Sequence, residues 1–371
     1  MARLESLGVT ATALLVAFLV IYFSDQAAVT TYIAPVATSS PIAVATTTPL
    51  TFPSLPPMEA TATTSRSAST VAPKPVVIEK STAQILPPVP IVSQSALDAS
   101  AAALRAALVN IVCIAPVGSK IHSTSASGVL LGRAGYILTN AHVGQYLLLA
   151  DQGVSCAVRI GSPATTAYRA ALVFIPTQWI RDNPTVLAQD APSGTGERDF
   201  AILAVTRSAT ASPLPTTFPG LTLAFSTPPP GTPIVIASYG AQFLEFNQIE
   251  TSLSPIVVFG SIQKLFTFGT NTADVLSVSG SVASQEGSSG GGIIDGDGML
   301  IADITTSTVT GDTSTRSLSA ITGAYIRREY AAETRSTLNV LLATPPAEAV
   351  AAFASQIPAL EAVILDALSS H

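Results

Sequence analysis

Short apolar runs bounded by turn residues fill the middle of the chain. The first set covers 108–115, 127–132, 136–140, 156–161, 170–175 and 200–206. The second set covers 232–240, 255–266, 273–280, 291–295 and 298–308. Runs of this length, rich in β-branched residues, are typical of strands in all-β barrels or sandwiches. We therefore predict an all-β protein with two cores, at about 108–206 and 207–318.

Helical patterns flank this region on both sides. Ala and Leu around Arg105 predict one short helix before the first strand. Beyond residue 318, the spacing of apolar residues over 319–344 and 347–370 indicates C-terminal helices. The Pro345-Pro346 pair separates the two, and Pro358 is expected to break or kink the second.

The N-terminus carries an uncharged apolar run, "GVTATALLVAFLVIYF", at 8–23. It is slightly shorter than the roughly 20 residues that a membrane-spanning helix needs. Tyr22 and Phe23 suit a membrane interface. We predict a retained anchor, with a cleaved signal peptide as the alternative. Either one places the remainder of the chain outside the cytoplasm.

Residues 24–95 are rich in Pro, Thr, Ala and Ser and have no sustained periodicity. Frequent proline blocks helices and sheet ladders alike, so we predict a disordered, extended linker. The predicted segments are therefore an anchor or signal, a linker, a β domain and a helical segment, at 1–23, 24–95, 96–318 and 319–371.

Composition narrows the function. The 371 residues have a net charge of -6, and their 17 Lys and Arg form no basic cluster, which argues against nucleic-acid binding. Only three histidines are present, so histidine chemistry has few candidates. Cys113 and Cys156 match no zinc spacing, which leaves buried thiols or a disulfide in an oxidising compartment.

A histidine and an aspartate each adjoin a predicted strand. In "GYILTNAHVGQ", His142 follows a strand end, where a rigid scaffold can present a general base to a cleft. In "GERDFAILAVT", Asp199 directly precedes a strand, where a carboxylate can accept a hydrogen bond from a histidine Nδ1–H. Taken singly, each also fits a loop residue without a chemical role.

Residues 287–292, "GSSGGG", are the third candidate. Glycines permit a tight turn that presents a serine hydroxyl and directs nearby N–H groups at a developing oxyanion. A flexible spacer is the alternative, but apolar β-branched runs follow the glycines directly. A phosphate loop is excluded because no Gly-Lys-Ser/Thr follows.

Together these motifs resemble the trypsin/chymotrypsin-like serine protease superfamily. "LTNAHV" resembles its histidine motif, "DFAIL" its aspartate motif and "GSSGGG" its Gly-x-Ser-Gly-Gly motif, in that order along the chain. The likeness covers about 108–318 and is strongest to the bacterial extracytoplasmic, high-temperature-requirement type. It implies two six-stranded antiparallel β-barrels with the site between them, and peptide hydrolysis without a cofactor or metal.

The resemblance also implies a role for each residue. Ser289, rather than Ser288, is the nucleophile because it is the serine of the Gly-x-Ser-Gly-Gly motif. His142 takes its proton and returns it to the leaving amine, while Asp199 orients His142. The N–H groups of Gly287 and Ser289 form the oxyanion hole.

The chain departs from digestive members of the superfamily at Ser288, where those proteins carry an acidic residue that pairs with a newly cut N-terminus. We therefore expect activity without cleavage of the linker. Only some 50 residues follow the protease region, and they look helical, so we expect no peptide-binding PDZ module.

Specificity is predicted from position alone. We expect the pocket walls near Ala283, six residues before the nucleophile, and near Ile304, Thr305 and Thr306 on the following strand. The absence of an acidic residue at Ala283 favours small or apolar P1 residues over Arg or Lys. Asp303 lies nearby, but a side chain on a strand can face either side of it.

The sequence thus predicts a membrane-tethered, extracytoplasmic serine endopeptidase acting on protein or peptide substrates, of unknown oligomeric state. One alternative is a catalytically silent protease-like fold that serves as a binding or scaffold module. Another is an interaction stalk built from the linker and the C-terminal helices. Outside the cytoplasm, a disulfide between Cys113 and Cys156 is favoured, and it would close a loop of some 40 residues.

Overall fold

The computed structural model describes residues 89–189, 194–269, 271–279, 281–307 and 316–370. The predicted membrane segment 1–23 and all but the last residues of the predicted linker 24–95 lie outside these ranges. Within them, no single helix is long and apolar enough to span a membrane. Two consecutive C-terminal helices reach that length and composition only as a bent pair.

Six strands form the first barrel. They are β1 (Leu108–Ile114), β2 (Thr124–Leu131), β3 (Tyr136–Thr139), β4 (Ser155–Gly161), β5 (Ala164–Phe174) and β6 (Ala201–Ser208). Their order around the closed barrel is β1-β2-β3-β6-β5-β4, and every neighbouring pair is antiparallel. The six predicted strands are confirmed. Only β5 begins clearly earlier, because its first half is partly exposed and lacks an apolar run.

The second sheet contains the remaining strands of the described ranges. They are β7 (Thr222–Leu223), β8 (Pro233–Ser238), β9 (Ile256–Ser261), β10 (Lys264–Phe266), β11 (Val275–Ser279), β12 (Gly292–Ile294), β13 (Met299–Ser307) and β14 (Ser317–Thr322). The order is β10-β11-β14-β13-β12-β8-β9, with β7 parallel to β13. The two strands at the ends of this order, β9 and β10, are consecutive in the sequence and are linked only by Ile262 and Gln263. The sheet is therefore barrel-like, but β9 and β10 are not paired by hydrogen bonds.

Short helices surround the two sheets. In the described ranges they are α1 (Gln94–Ala107), α2 (Ala141–Gly144), α3 (Thr177–Asp182), α4 (Phe246–Ser252), α5 (Gly323–Thr334), α6 (Leu338–Ala343), α7 (Pro346–Ala354) and α8 (Ile357–Ser369), with 3-10 turns at Gln145–Gln152 and Val186–Ala188. The predicted first helix is confirmed as α1, which buries Leu97 and Leu104. Helices α2 to α4 were not predicted because each is too short for a helical period to show.

The predicted start of the C-terminal helices at 319 is wrong. Strand β14 extends to Thr322, and its Leu318 and Ala320 side chains are buried in the second core. Helix α5 begins only after Thr322, whose hydroxyl accepts a hydrogen bond from the Tyr325 N–H and caps the helix. The break near Pro358 is confirmed, since α7 and α8 are bent by 54°.

A disulfide fastens the first barrel. Cys113 on β1 lies opposite Cys156 on β4 in the antiparallel register, and their sulfurs are bonded. The predicted disulfide is confirmed. Helices α7 and α8 cover the same barrel, with α7 against β5 and β6. The Tyr136 hydroxyl donates to the Thr344 carbonyl at 2.7 Å and ties this helical segment to β3.

Candidate active site

His142 is presented by a helix that begins where a barrel strand ends. Strand β3 stops at Thr139, and Asn140 is the extended N-cap residue of α2. This places His142 in the first turn of α2, fixed by buried neighbours on both sides, Ala141 and Val143. Its side chain is 24% exposed, so the ring is accessible while its backbone is rigid.

Asp199 contacts His142 through both of its carboxylate oxygens. Oδ2 lies 2.8 Å from His142 Nδ1, and Oδ1 accepts a hydrogen bond from the His142 backbone N–H at 3.0 Å. The carboxylate is largely buried at the entrance to β6. Because a carboxylate only accepts, Nδ1 carries the proton and Nε2 of the neutral ring keeps a lone pair. The ring can therefore act as a base.

A glycine-bounded turn carries Ser289. Gly287 and Gly290 have φ of +87° and +82°, which favours glycine at both positions. A Cβ at Gly290 would lie 2.1 Å from the Ser127 carbonyl oxygen and 2.4 Å from Thr139 Oγ1. No side chain fits there, so the glycines allow the turn to lie directly against the first barrel.

Within the described residues, the backbone N–H groups of Gly287 and Ser289 are both left without an acceptor by the way this turn is bonded. The Glu286 carbonyl accepts from Ala241 N at 2.8 Å, and the Ser288 carbonyl accepts from Gly291 N at 2.9 Å. Carbonyl and N–H point in opposite directions across a trans peptide. The N–H groups of Gly287 and Ser289 therefore face away from these bonds. Neither donates a hydrogen bond to any residue that the structure describes.

Ser288 and Ser289 occupy different environments. Ser288 is 1% exposed, and its hydroxyl donates to the Ala283 carbonyl and accepts from the Ser238 hydroxyl. Ser289 is half-buried. Within the described ranges its hydroxyl makes no hydrogen bond, either to His142 or to any other residue. Ser288 thus fastens the turn and leaves Ser289 as the serine available for chemistry. Catalytic contacts are often looser without substrate.

Ser127 was not predicted and holds the turn in place. This residue of β2 is fully buried, and its hydroxyl donates to the Gly287 carbonyl and accepts from Tyr239 N, both at 2.8 Å. Its backbone N–H donates to the Ser289 carbonyl, also at 2.8 Å. One residue of the first barrel therefore binds the turn at two points, Gly287 and Ser289, and binds Tyr239 directly after β8 at a third. No local pattern in the sequence marks it.

The predicted pocket residues lie close to the turn but have little exposed surface. Ala283 is fully buried, and Ile304 and Thr305 are nearly so, while the side chain of Thr306 is outside the description. Ile304 bonds the turn through its backbone, with Gly290 N donating to the Ile304 carbonyl at 2.9 Å. Their role as pocket walls stays a prediction.

Asp303 faces the interior rather than the solvent. Its side chain accepts a hydrogen bond from Asn140 Nδ2 at 3.0 Å, and the same amide donates to the Asp199 carbonyl at 3.1 Å. Burial raises the pKa of the Asp303 carboxyl well above its usual range, and the nearby charge of Asp199 raises it further. A second acidic group thus lies directly behind the His142–Asp199 pair.

Comparison with known proteins agrees with this geometry. Residues 126–302 match the family model of the trypsin-like peptidase domain. No curated protein sequence matches the chain significantly.

Similar solved structures include the active form of the Rv3671c protease from M. tuberculosis, at 18% identity and a TM-score of 0.40, covering 66% of this chain and 88% of that one. Deg5 is similar at 15% identity and a TM-score of 0.41, covering 63% and 91%. Likeness at this level carries no argument about function. The match to the family model confirms the predicted superfamily for residues 126–302, and this region is a trypsin-like peptidase domain.

Proposed function

We propose that the protein is a serine endopeptidase in which Ser289, His142 and Asp199 act as a catalytic triad. The observation that carries this proposal is the double contact of Asp199 with His142, through Nδ1 and the backbone N–H. The turn around Ser289, with two N–H groups that have no partner in the described part of the chain, supports it.

The residues divide the reaction as follows. Asp199 holds the Nδ1 proton, so Nε2 of His142 accepts the proton of the Ser289 hydroxyl as Oγ attacks the scissile carbonyl carbon. The oxyanion is stabilised by the N–H groups of Gly287 and Ser289, each contributing about 3 kcal/mol. The imidazolium then protonates the leaving amine, and the acyl-enzyme forms. Water, deprotonated by His142, releases the acyl group.

Activity does not require a new N-terminus. The Ser288 hydroxyl is held by Ser238 on β8 and by Ala283 in the loop before β12, so no outside charge is needed to fix the turn. We expect uncut, full-length protein to hydrolyse peptides at the same rate as protein cleaved within the linker 24–95. Activity that depends strictly on cleavage would contradict this.

The protease domain lies outside the cytoplasm, tethered by the apolar run at 8–23. The Cys113–Cys156 disulfide supports this location because disulfides form and persist in oxidising compartments. Membrane fractionation with N-terminal sequencing tests the tether. An intact residue 1 in the membrane fraction is expected, whereas a soluble chain that begins after 23 would establish signal cleavage instead.

Reaction with a fluorophosphonate probe separates the enzyme from a silent binding module. We expect wild-type protein to be labelled and Ser289→Ala to be unlabelled. Ser284→Ala is the matched control because Ser284 is a buried serine of the same segment whose hydroxyl has no partner in the described ranges. Absence of labelling in folded wild-type protein, or equal labelling of Ser289→Ala, would overturn the proposal.

The substrate is a protein or peptide with a small or apolar P1 residue. A buried alanine at Ala283 places no acidic group at the expected pocket floor. A peptide-library profile tests this preference, and cleavage mainly after Arg or Lys would contradict it.

A further inference from the structure

Asp303 is a buried acid without a cation. It lies on β13 with 1% of its surface exposed, and within the described ranges no Lys or Arg forms an ion pair with it. Its one hydrogen-bond partner there is the Asn140 amide, at 3.0 Å. Buried carboxylates ordinarily have a cation or several donors, so an ionised Asp303 would be poorly compensated.

Two buried oxygens at this contact have no partner in the described part of the chain. They are Asp303 Oδ1 and Asn140 Oδ1, on the two residues that the first hydrogen bond already joins. With an ionised carboxyl, both oxygens can only accept. A proton on Asp303 converts its Oδ1 into a donor, and the neighbouring amide oxygen is then the acceptor at hand. A hydrogen bond between these two atoms would satisfy both.

The electrostatic surroundings point the same way. Strands β12 and β14, which flank Asp303 in the sheet, carry no titratable side chain. From the first barrel, the groups that face this region are Asp199, which raises the pKa of Asp303, and His142, which Asp199 binds. In the turn before Asp199, the Glu197 and Arg198 side chains pair with each other at 3.1 Å nearer the surface.

We propose that Asp303 is a positioning residue that carries a proton, and that its carboxylic acid and the Asn140 amide form a reciprocal hydrogen-bonded pair. Asn140 Nδ2 donates to Asp303 Oδ2, and the Asp303 hydroxyl donates to Asn140 Oδ1. The second Nδ2 hydrogen is donated to the Asp199 carbonyl at 3.1 Å. The pair thereby fixes the backbone of Asp199 relative to the N-cap of the helix that carries His142.

This role deepens the proposed function and rests on it for its catalytic consequence. When Asp303 loses its proton at high pH, a second negative charge appears behind Asp199. The reciprocal pair is lost at the same time, so kcat falls while substrate contacts, and hence KM, are unchanged.

The stability of the fold depends on the same proton. Because the folded-state pKa of Asp303 is raised, its contribution is fully present below the unfolded value of about 3.9 and is lost as the pH rises through the folded value. Asp303→Asn is the neutral isostere: its amide supplies the same acceptor and donor at every pH. Asp303→Leu has the same branched shape, is somewhat larger, and supplies neither.

The first test uses inactive Ser289→Ala protein, so it does not depend on catalysis. The unfolding equilibrium constant is measured by urea denaturation at about pH 5 and about pH 9. Between these pH values it should rise at least about tenfold more in the protein that keeps Asp303 than in Asp303→Asn, because each unit by which the folded-state pKa exceeds the unfolded value gives one tenfold step. An infrared band of a protonated buried carboxyl should disappear in Asp303→Asn. Equal pH dependence of the two proteins, or absence of that band, would overturn the proposal.

The second test uses active protein. Asp303→Asn should keep kcat within about twofold at neutral pH and lose the alkaline fall in kcat, whereas Asp303→Leu should lose kcat about tenfold or more at unchanged KM. Equal losses in Asn and Leu would show that the ionised carboxylate is required and would overturn the proposal. Failure of the probe test with both stability results intact would overturn only the proposed function.

Discussion

Removal of the Ser127 hydroxyl tests how the nucleophile turn is held. In Ser127→Ala, the Tyr239 N–H and the Gly287 carbonyl each lose a partner at 2.8 Å. Leaving a buried polar group unsatisfied costs about 1–3 kcal/mol, so two such groups predict a loss of about 2–6 kcal/mol in the free energy of unfolding. A water molecule that enters the vacated site would bring the loss to the lower end of this range.

The assay is urea denaturation in the Ser289→Ala background, followed by kinetics in the active background. Ser125→Ala is the matched control on the same strand, since its hydroxyl accepts only from Asn110 Nδ2 at 3.0 Å and does not contact the turn. We expect kcat of Ser127→Ala to fall about tenfold or more, because a misplacement worth about 1.4 kcal/mol in the transition state has that effect. Losses no larger than those of Ser125→Ala would refute this account of the turn.

Two further predictions concern the backbone and the disulfide. Gly290→Ala should destabilise the fold by about 2–5 kcal/mol and abolish probe labelling, since it combines left-handed strain with a Cβ clash. Gly298→Ala is the control, because Gly298 has a similar φ of +79° but open space around it, and it should show only the smaller strain cost. Equal melting temperatures of the two variants would be the contrary result. Replacing Cys113 and Cys156 together by alanine should cost about 4 kcal/mol for a sequence separation of 43, and an unchanged melting temperature under non-reducing conditions would be the contrary result.

The elements that the sequence revealed are those with a local signal. Apolar β-branched runs predicted all six strands of the first barrel and most of the second sheet, because strands buried along most of their length leave a run of apolar residues in the sequence. Strand β14 was missed because the neighbouring helical pattern obscured it: its buried positions continue directly into α5. The two-residue β7 is too short to carry any pattern.

The residues of the site also differ in whether the local sequence revealed them. His142, Asp199 and Ser289 were predicted because two of them adjoin strands, the third lies among glycines, and together they match the motifs of the superfamily in the same order. Ser127 was not predicted, and the sequence left open which way the Asp303 side chain faces. Their bonds join residues 160 and 163 positions apart, to Gly287 and Asn140, and such contacts arise only when the first barrel meets the second sheet. Supporting hydrogen bonds of this kind become visible only in the folded molecule.

In the proposed mechanism, the Ser289 hydroxyl, the His142 ring and two backbone N–H groups converge on one reacting carbonyl. A crystal structure of the wild-type protein after reaction with a phosphonate inhibitor tests it most directly. We predict a covalent bond from Ser289 Oγ to phosphorus, with the phosphonyl oxygen about 2.7–3.1 Å from the N–H nitrogens of Gly287 and Ser289. An adduct on another residue, or a phosphonyl oxygen turned away from both nitrogens, would contradict the account.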